Sequence, residues 1–370
     1  MLAAREAIQR PRDAKLLAVD AAGRITHHNR SALIGLLRPG DLVVANDAAT
    51  IPASLTGIHE PTAAPIELRL AARATLRPDD ISRFSAIVFG AGDWRIRTED
   101  RPPPPPLRRG DRLLLGPLAA TIEAILGHAR FVSVAFAGST DAIWAGLARH
   151  GRPIQYAHLS QALAPWDVWT RIAGRPAAFE PPSAGFALDW QLLANLSAKG
   201  IGFATLTHAA GISSTGEDVL DARLPLDEAY VIPTATVAAI GEAKARGGHV
   251  IAIGTTVVRA LEHAAGEHAA GRNGGALAAG EGMATGRIGP ATPLRIVDAI
   301  LSGVHEAGTS HFELLRAFAG AEILAAADRA LNALGYRTHE FGDSIFLETS
   351  GRREGRQPRF AEAGFLSRGK

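Results

Sequence analysis

The stretch Gly248-His249-Val250-Ile251-Ala252-Ile253-Gly254-Thr255-Thr256-Val257-Val258-Arg259-Ala260-Leu261-Glu262-His263-Ala264-Ala265 decides the fold. Val250 to Ile253 is short and wholly apolar, as a parallel strand buried on both faces requires. Gly254 breaks the run, Thr255 or Thr256 can N-cap a helix after it, and Val258, Leu261, Glu262 and Ala265 recur at helical spacing. A strand running through a glycine and two threonines into a helix leaves unpaired N–H groups at the helix start. The helix dipole adds positive potential there, so a carboxylate or phosphate binds readily. The same pattern also serves as an ordinary strand–turn–helix of an α/β core.

Further α/β signals lie on both sides. Leu16 to Val19 reads as a strand, and Leu42 to Ala45 as a buried strand stopping at Asn46-Asp47. Polar residues at the end of a buried strand are where α/β proteins place ligand groups, although these two also suit a turn cap. Asp189 to Ala198 and Thr234 to Arg246 read as helices, the second ending at Gly247-Gly248, with Gly202 to Thr207 a strand between them. Phe312 to Ala319 and Ile323 to Leu334 are helical, and the Gly- and Ala-rich Gly266 to Gly282 reads as a loop.

Between Ile58 and Arg149 the texture changes to short runs separated by turn residues: Ile66–Leu70, Ser85–Phe89, Trp94–Arg97, Leu113–Leu115 and Phe131–Phe136. Their spacing predicts a small antiparallel, barrel-like domain. Pro102 to Pro106 cannot lie inside a central strand and make a stiff, exposed connector. The expected fold class is therefore α/β: a large α/β domain over 1–57 and 150–370, with a smaller antiparallel β-barrel-like domain inserted over 58–149.

Bulk composition bounds the function. The chain has 370 residues, 47% hydrophobic and 21% charged, which is globular. No apolar stretch reaches the roughly 18 residues of a membrane span, and the N-terminus lacks a signal-peptide core. With no cysteine, disulfides, iron–sulfur clusters and thiolate zinc are excluded, and a cytoplasmic protein is expected. A net charge of +2 argues against a long nucleic-acid footprint. Arg108, Arg109 and Arg112, and the tail arginines Arg352, Arg353, Arg356, Arg359 and Arg368, read as solvated surface. Neither His263/His268 nor His305/His311 has the spacing that sets two ligands on one helical face, so no metal is expected.

The motifs, taken in order, resemble the S-adenosylmethionine:tRNA ribosyltransferase-isomerase family of queuosine biosynthesis. Ile253-Gly254-Thr255-Thr256-Val257-Val258-Arg259-Ala260-Leu261-Glu262 is similar to the family's Val-Gly-Thr-Thr-Ser-Val-Arg-Ser-Leu-Glu. Leu37 to Asp47 resembles Leu-Asn-Pro-Gly-Asp-Leu-Leu-Val-Phe-Asn-Asn, and Ile51 to Gly57 resembles Ile-Pro-Ala-Arg-Leu-Phe-Gly. Arg295 to Ala299, Ala317 to Gly320 and Phe341 to Ser344 extend the likeness over nearly the whole chain. The resemblance implies a large α/β domain carrying an inserted barrel-like domain.

Departures from the family pattern fall on histidines. Ala187 stands in a histidine position, Thr207 in another with His208 beside it, and Leu226 in a third just before Glu228. His305 is retained. Histidine is the side chain best suited to proton transfer near neutral pH, so these losses alter either chemistry or substrate.

The family reaction, as the resemblance implies it, moves the ribosyl part of S-adenosylmethionine to a 7-aminomethyl-7-deazaguanine base in tRNA and isomerises it, releasing adenine and methionine. S-adenosylmethionine is then a co-substrate and tRNA a partner, and the chain is expected to be a monomer or weak dimer. The route needs a base near the sulfonium-activated carbon and an acid for departing adenine. Glu228 and His305 are the catalytic candidates. The binding candidates are Asn46, Ser183, Gly185, Gly211, Gly254, Thr255, Thr256, Arg259 and Asp343. Asp343 would hold a ribose hydroxyl and Arg259 a carboxylate, although Asp343 also suits a turn and Arg259 a pair with Glu262. Two other readings stay open: a paralogue that binds an adenosyl ligand without this transfer, and an RNA- or protein-interaction module on the same scaffold. The helix start after Gly254 is expected to face a cleft between the two domains.

Overall fold

The computed structural model describes residues 1–269 and 277–350. Its centre is a nine-stranded mixed sheet ordered Gly280–Ala284, Glu228–Ile232, Gly202–His208, Leu42–Asn46, Val250–Ile253, Ala299–Gly303, Ser344–Glu348, Lys15–Val19 and Ile25–Asn29. The middle four strands are parallel, with Val43 opposite both Phe203 and Ile251, and Ile251 opposite Ala299. Period-two alternation splits these apolar runs between two cores. Leu42, Val44, Val250 and Ala252 pack with the helices Thr234–Ala245, Thr255–Ala269 and Ala321–Ala333. Val43, Ala45, Ile251 and Ile253 pack on the other face with Leu33–Leu36 and Trp190–Ala198. The last of these helices is N-capped by Asp189, whose carboxylate accepts from the Leu192 N–H at 2.6 Å.

Six antiparallel strands close a barrel: Leu118–His128, Phe131–Phe136, Arg83–Phe89, Ala64–Ala72, Ser54–His59 and Arg112–Leu115. Leu55, Leu68, Val88, Leu113, Ile122 and Val134 fill its interior. The α/β class with a barrel-like second body is thus what the chain forms. Two local features differ from expectation. Trp94–Arg97 is a turn, because Gly92 sits at φ +115° and the Asp93 carboxylate accepts from the Arg95 N–H at 2.9 Å. The Ala-rich Leu118–His128, absent from the expected strands, is the longest in the barrel, burying Leu118, Ala120 and Ile122.

The loop expected over Gly266 to Gly282 is shorter. The helix runs to Ala269 and a strand begins at Gly280, while 270–276 lie outside the described residues. The tail arginines also lie outside them. Among the described residues, no helix is long and apolar enough to cross a membrane.

Candidate functional site

Three parallel strands end side by side at Asn46, His208 and Ile253, and Gly254 turns the chain from the last into its helix at φ +96°. Thr255 is the first helical residue, so the turn falls to Gly254 and neither threonine lies outside the helix as an N-cap. First-turn amides have no acceptor inside their own helix. Gly254, Thr255 and Thr256 line a pocket of about 80 Å³ with Ser183, Gly211, Glu228, Arg259, His305 and His311. Most of the expected site is therefore brought together. No residue of 58–149 lines this pocket itself, while Arg97, Thr98 and Glu99 line the cavity that adjoins it.

Three expected binding residues sit elsewhere. Asn46 lies beneath the pocket: its amide donates to the His208 carbonyl at 3.0 Å and Thr256 Oγ1 at 3.3 Å, and accepts from the His208 N–H at 3.0 Å. It ties the strand ends together. Gly185 faces Thr170, whose Cγ2 would lie 2.8 Å from a Cβ there. Asp343 is buried and does not line this pocket; its carboxylate accepts from the Lys15 and Arg337 N–H groups at 2.8 Å and from Arg10 at 3.2 Å. It anchors a turn.

Arg259 is also committed within the fold. It donates to the Glu228 carboxylate, and to the carbonyls of Ala284 at 3.0 Å, Gly286 at 3.2 Å and Leu226 at 3.3 Å. Glu262 is taken by the N–H groups of Arg295, Ile296 and Val297 at 2.6 to 2.9 Å. Burial lowers the Arg259 pKa to about 10, against the pull of Asp227. Glu228 opens its strand, is buried, and also accepts from the Gly211 N–H at 2.6 Å.

Several polar groups escaped sequence reasoning. His208 is fully buried with no hydrogen bond to either ring nitrogen, and its Nε2 lies 3.5 Å from Glu228 Oε2. Burial and then Arg259 push its pKa well below the ordinary value, so the ring is neutral. His311 Nδ1 lies 3.3 Å from Thr255 Oγ1, its ring 4.5 Å from that of His305. Burial, then His311 and His339, push His305 well below its ordinary pKa; burial and Arg259 bring His311 to about 4.

Glu180 moves the other way. It is buried, bonded to the Tyr156 hydroxyl, and accepts from the Ser213 N–H at 3.0 Å. Burial raises its pKa to about 7 against the pull of the Tyr156 hydrogen bond. Glu180, Ser183, His305 and His311 form a wall shared with a second cavity of about 500 Å³, lined further by Tyr156, His158, Glu306, His339 and Glu340. Glu180 sits among prolines with no periodic context, so only the chain's long-range packing reveals it.

A family model described as queuosine biosynthesis protein matches residues 1–347. A protein of Anaeromyxobacter sp. (strain Fw109-5) named S-adenosylmethionine:tRNA ribosyltransferase-isomerase is 33% identical over 349 residues, covering 91% of this chain and 93% of that one. A protein of the same name from Chlorobaculum parvum is 33% identical over 342 residues, covering 90% and 92%. The crystal structure of an S-adenosylmethionine tRNA ribosyltransferase from Thermotoga maritima matches with a TM-score of 0.48 and 22% identity, over 93% of this chain and 96% of that one.

Proposed function

This chain belongs to the queuosine biosynthesis protein family, and we propose that it is a transferase-isomerase using S-adenosylmethionine as co-substrate and tRNA as acceptor. In this reading the ribosyl group passes to a 7-aminomethyl-7-deazaguanine base. The observation that carries it is the pair of adjoining cavities: a helix start lines the smaller one, and a neutral imidazole and a carboxyl of raised pKa lie on the wall the two share.

Volume divides the labour. About 80 Å³ at the helix start admits only an end group, while about 500 Å³ is in the range of a small-molecule site. The methionine carboxylate goes to the first-turn amides of Thr255 and Thr256, since Arg259 is already neutralised by Glu228. The adenosyl part occupies the larger cavity. His305 is neutral and so has a ring nitrogen free for a proton. Its place on the shared wall, rather than its lowered basicity, makes it the group that receives the proton from the carbon beside the sulfonium. Glu180, with its pKa near 7, delivers one to departing adenine. Two groups whose surroundings push their pKa values apart supply the base and the acid, in place of the histidines absent at Ala187 and Leu226. Glu228, fixed by Arg259 and the Gly211 amide, shapes the pocket floor.

The test is mass spectrometry of tRNA bearing the aminomethyl base after incubation with the protein and S-adenosylmethionine. The expected result is a modified nucleoside matched by released adenine and methionine. Binding of S-adenosylmethionine with no adenine release would leave only an adenosyl-binding paralogue.

A further inference from the structure

His158, His339 and Glu340 stand on the wall of the larger cavity, and none of them carries a proton in the proposed transfer. The fold joins them across 182 residues of chain. Their donor atoms all lie within 4.8 Å of one another, and no other three His, Asp or Glu side chains among the described residues gather so closely. His158 Nε2 is 3.2 Å from Glu340 Oε2. Two ligands at about 2.0–2.1 Å from one tetrahedral ion stand roughly 3.3 Å apart, so this pair already has the spacing of ligands to one zinc. The His339 ring stacks on that of His158 at 4.2 Å. Its side chain is exposed, so rotation can bring its nitrogen onto the same ion.

The backbone holds these groups in place. His339 has φ +67°, a conformation rarely taken by a side chain with a Cβ. The turn is fixed by Gly342, whose N–H donates to the His339 carbonyl at 3.0 Å and where a Cβ would meet the Arg337 carbonyl at 2.4 Å. Asp343 clamps it further through the Lys15 and Arg337 amides. On the other side the Leu159 N–H closes onto the Tyr156 carbonyl at 3.2 Å, holding the loop of His158. Tight turns thus fix the backbone on both sides, with the His158–Glu340 pair already in place and the His339 ring left to turn onto the ion.

We infer that His158, His339 and Glu340 form a binding site for a divalent cation of the zinc class, with its remaining coordination position facing the cavity. Two imidazoles and one carboxylate suit zinc and its neighbours over magnesium or calcium, which prefer oxygen-only shells. Three protein ligands leave a place for an oxygen or nitrogen of whatever occupies the cavity, the pattern of catalytic rather than structural zinc. The placement of these three residues alone carries this inference. A bound cation would also act on the acid and base of the transferase reading, since, beside burial, Glu340 helps raise Glu180 and His339 helps lower His305.

The test uses the full-length, tag-free, chelator-treated chain. Cobalt(II) is added and its visible absorption followed, with zinc competed against it by calorimetry. The expected result is one cation per chain with a tetrahedral or five-coordinate cobalt spectrum. His339→Ala and His158→Ala should each weaken binding by at least about 100-fold, and Glu340→Gln by about 10- to 100-fold, since even outer-shell partners are worth that much. His128→Ala should change nothing. His339 is exposed, so its variant reports on binding even where His158→Ala disturbs folding. Absence of saturable one-to-one binding by the wild type would overturn the inference. So would unchanged affinity in the His158→Ala/His339→Ala double variant, which would leave only a structural His158–Glu340 pair.

Discussion

In the barrel, Glu67 meets Arg69 at 2.7 Å and is also bonded by Arg101 and by the Ser54 hydroxyl at 2.7 Å. Beneath the pocket, Glu228 meets Arg259 and the Gly211 amide. Both clusters are buried arginine–glutamate contacts, yet their surroundings differ. Glu67 faces two cations, and Arg69, Arg101 and Arg130 stack about the Phe89 ring at 4.7, 5.2 and 5.3 Å. Burial opposes ionisation of Glu67, but Arg69 and Arg101 outweigh it and hold its pKa below the usual carboxylate value. Neither of the two cavities described above is lined by these groups. Glu228 instead borders a cavity and has the unpartnered His208 ring beside it. The barrel cluster serves the fold, although Arg69 Nη1, Arg101 Nε and Arg130 Nη1 stay buried there without a hydrogen-bond partner. The pocket cluster puts Glu228 and Arg259 on a cavity wall, with the buried His208 ring behind them.

The largest expected effect tests that difference directly. Glu67→Ala strands two buried guanidiniums and should cost about 3–5 kcal/mol of stability, the usual penalty for breaking a buried ion pair. Glu228→Ala strands one, and Arg259 keeps three carbonyl acceptors, so its cost should be visibly smaller. Urea unfolding of the two variants decides the matter; equal costs would erase the distinction.

Turnover should respond in the opposite place. His305→Ala should lower transfer by roughly two to four orders of magnitude, the usual size of a lost proton-transfer group. Its melting temperature should stay near the wild type, because His305 lies in a loop after the strand Ala299–Gly303. Unchanged turnover would remove His305 from the chemistry.

Acidity separates the regions next. The folded pKa of Glu180 stands at about 7, above its ordinary value of 4.5. A carboxyl raised in this way favours folding while protonated, so its contribution is full below the unfolded value and is lost as pH rises through the folded one. The wild type should therefore lose about 3 kcal/mol relative to Glu180→Gln between pH 4.5 and 7. Turnover should fall above pH 7 in the wild type, and Glu180→Gln should abolish that limb along with most of the activity. Glu67→Gln, whose parent carboxyl is shifted the other way, should show no such gain over the same range.

The legibility of each feature in the sequence depends on how locally it is encoded. Val250–Ile253 and Leu42–Asn46 lie buried on both faces, so their apolar runs could be read at once. The barrel was legible from turn-separated runs, except where Ala, Thr and Glu blurred the alternation in Leu118–His128. The Gly254 turn was legible because its conformation excludes most other residues. Glu180, His208 and His311 were not, since loops or strand ends bring them to the site and no local period marks them. Asp343 misled because a Gly-Asp-Ser turn looks alike whether it holds a ribose or, as here, two backbone amides.

The smallest expected effect is the most discriminating. A Cβ at Gly211 would sit 2.8 Å from Glu228 Oε1 and 3.1 Å from the Ala71 carbonyl. The barrel backbone cannot retreat, but the carboxylate can rotate, so Gly211→Ala should displace Glu228 and weaken its hydrogen bond to the residue 211 amide. One such bond contributes on the order of 1 kcal/mol, so transfer should fall about fivefold to tenfold with little change in melting temperature. The barrel offers the matched control. At Gly57 a Cβ would lie 2.1 Å from the Leu114 carbonyl, a backbone atom in the neighbouring strand. Gly57→Ala must shift that strand pairing, so it should cost about 1–3 kcal/mol of stability while leaving turnover per folded molecule intact. Should the two alanines lower stability and turnover in the same proportion, the barrel and the pocket would be one cooperative unit, and the contrast between their buried charges would carry no functional meaning.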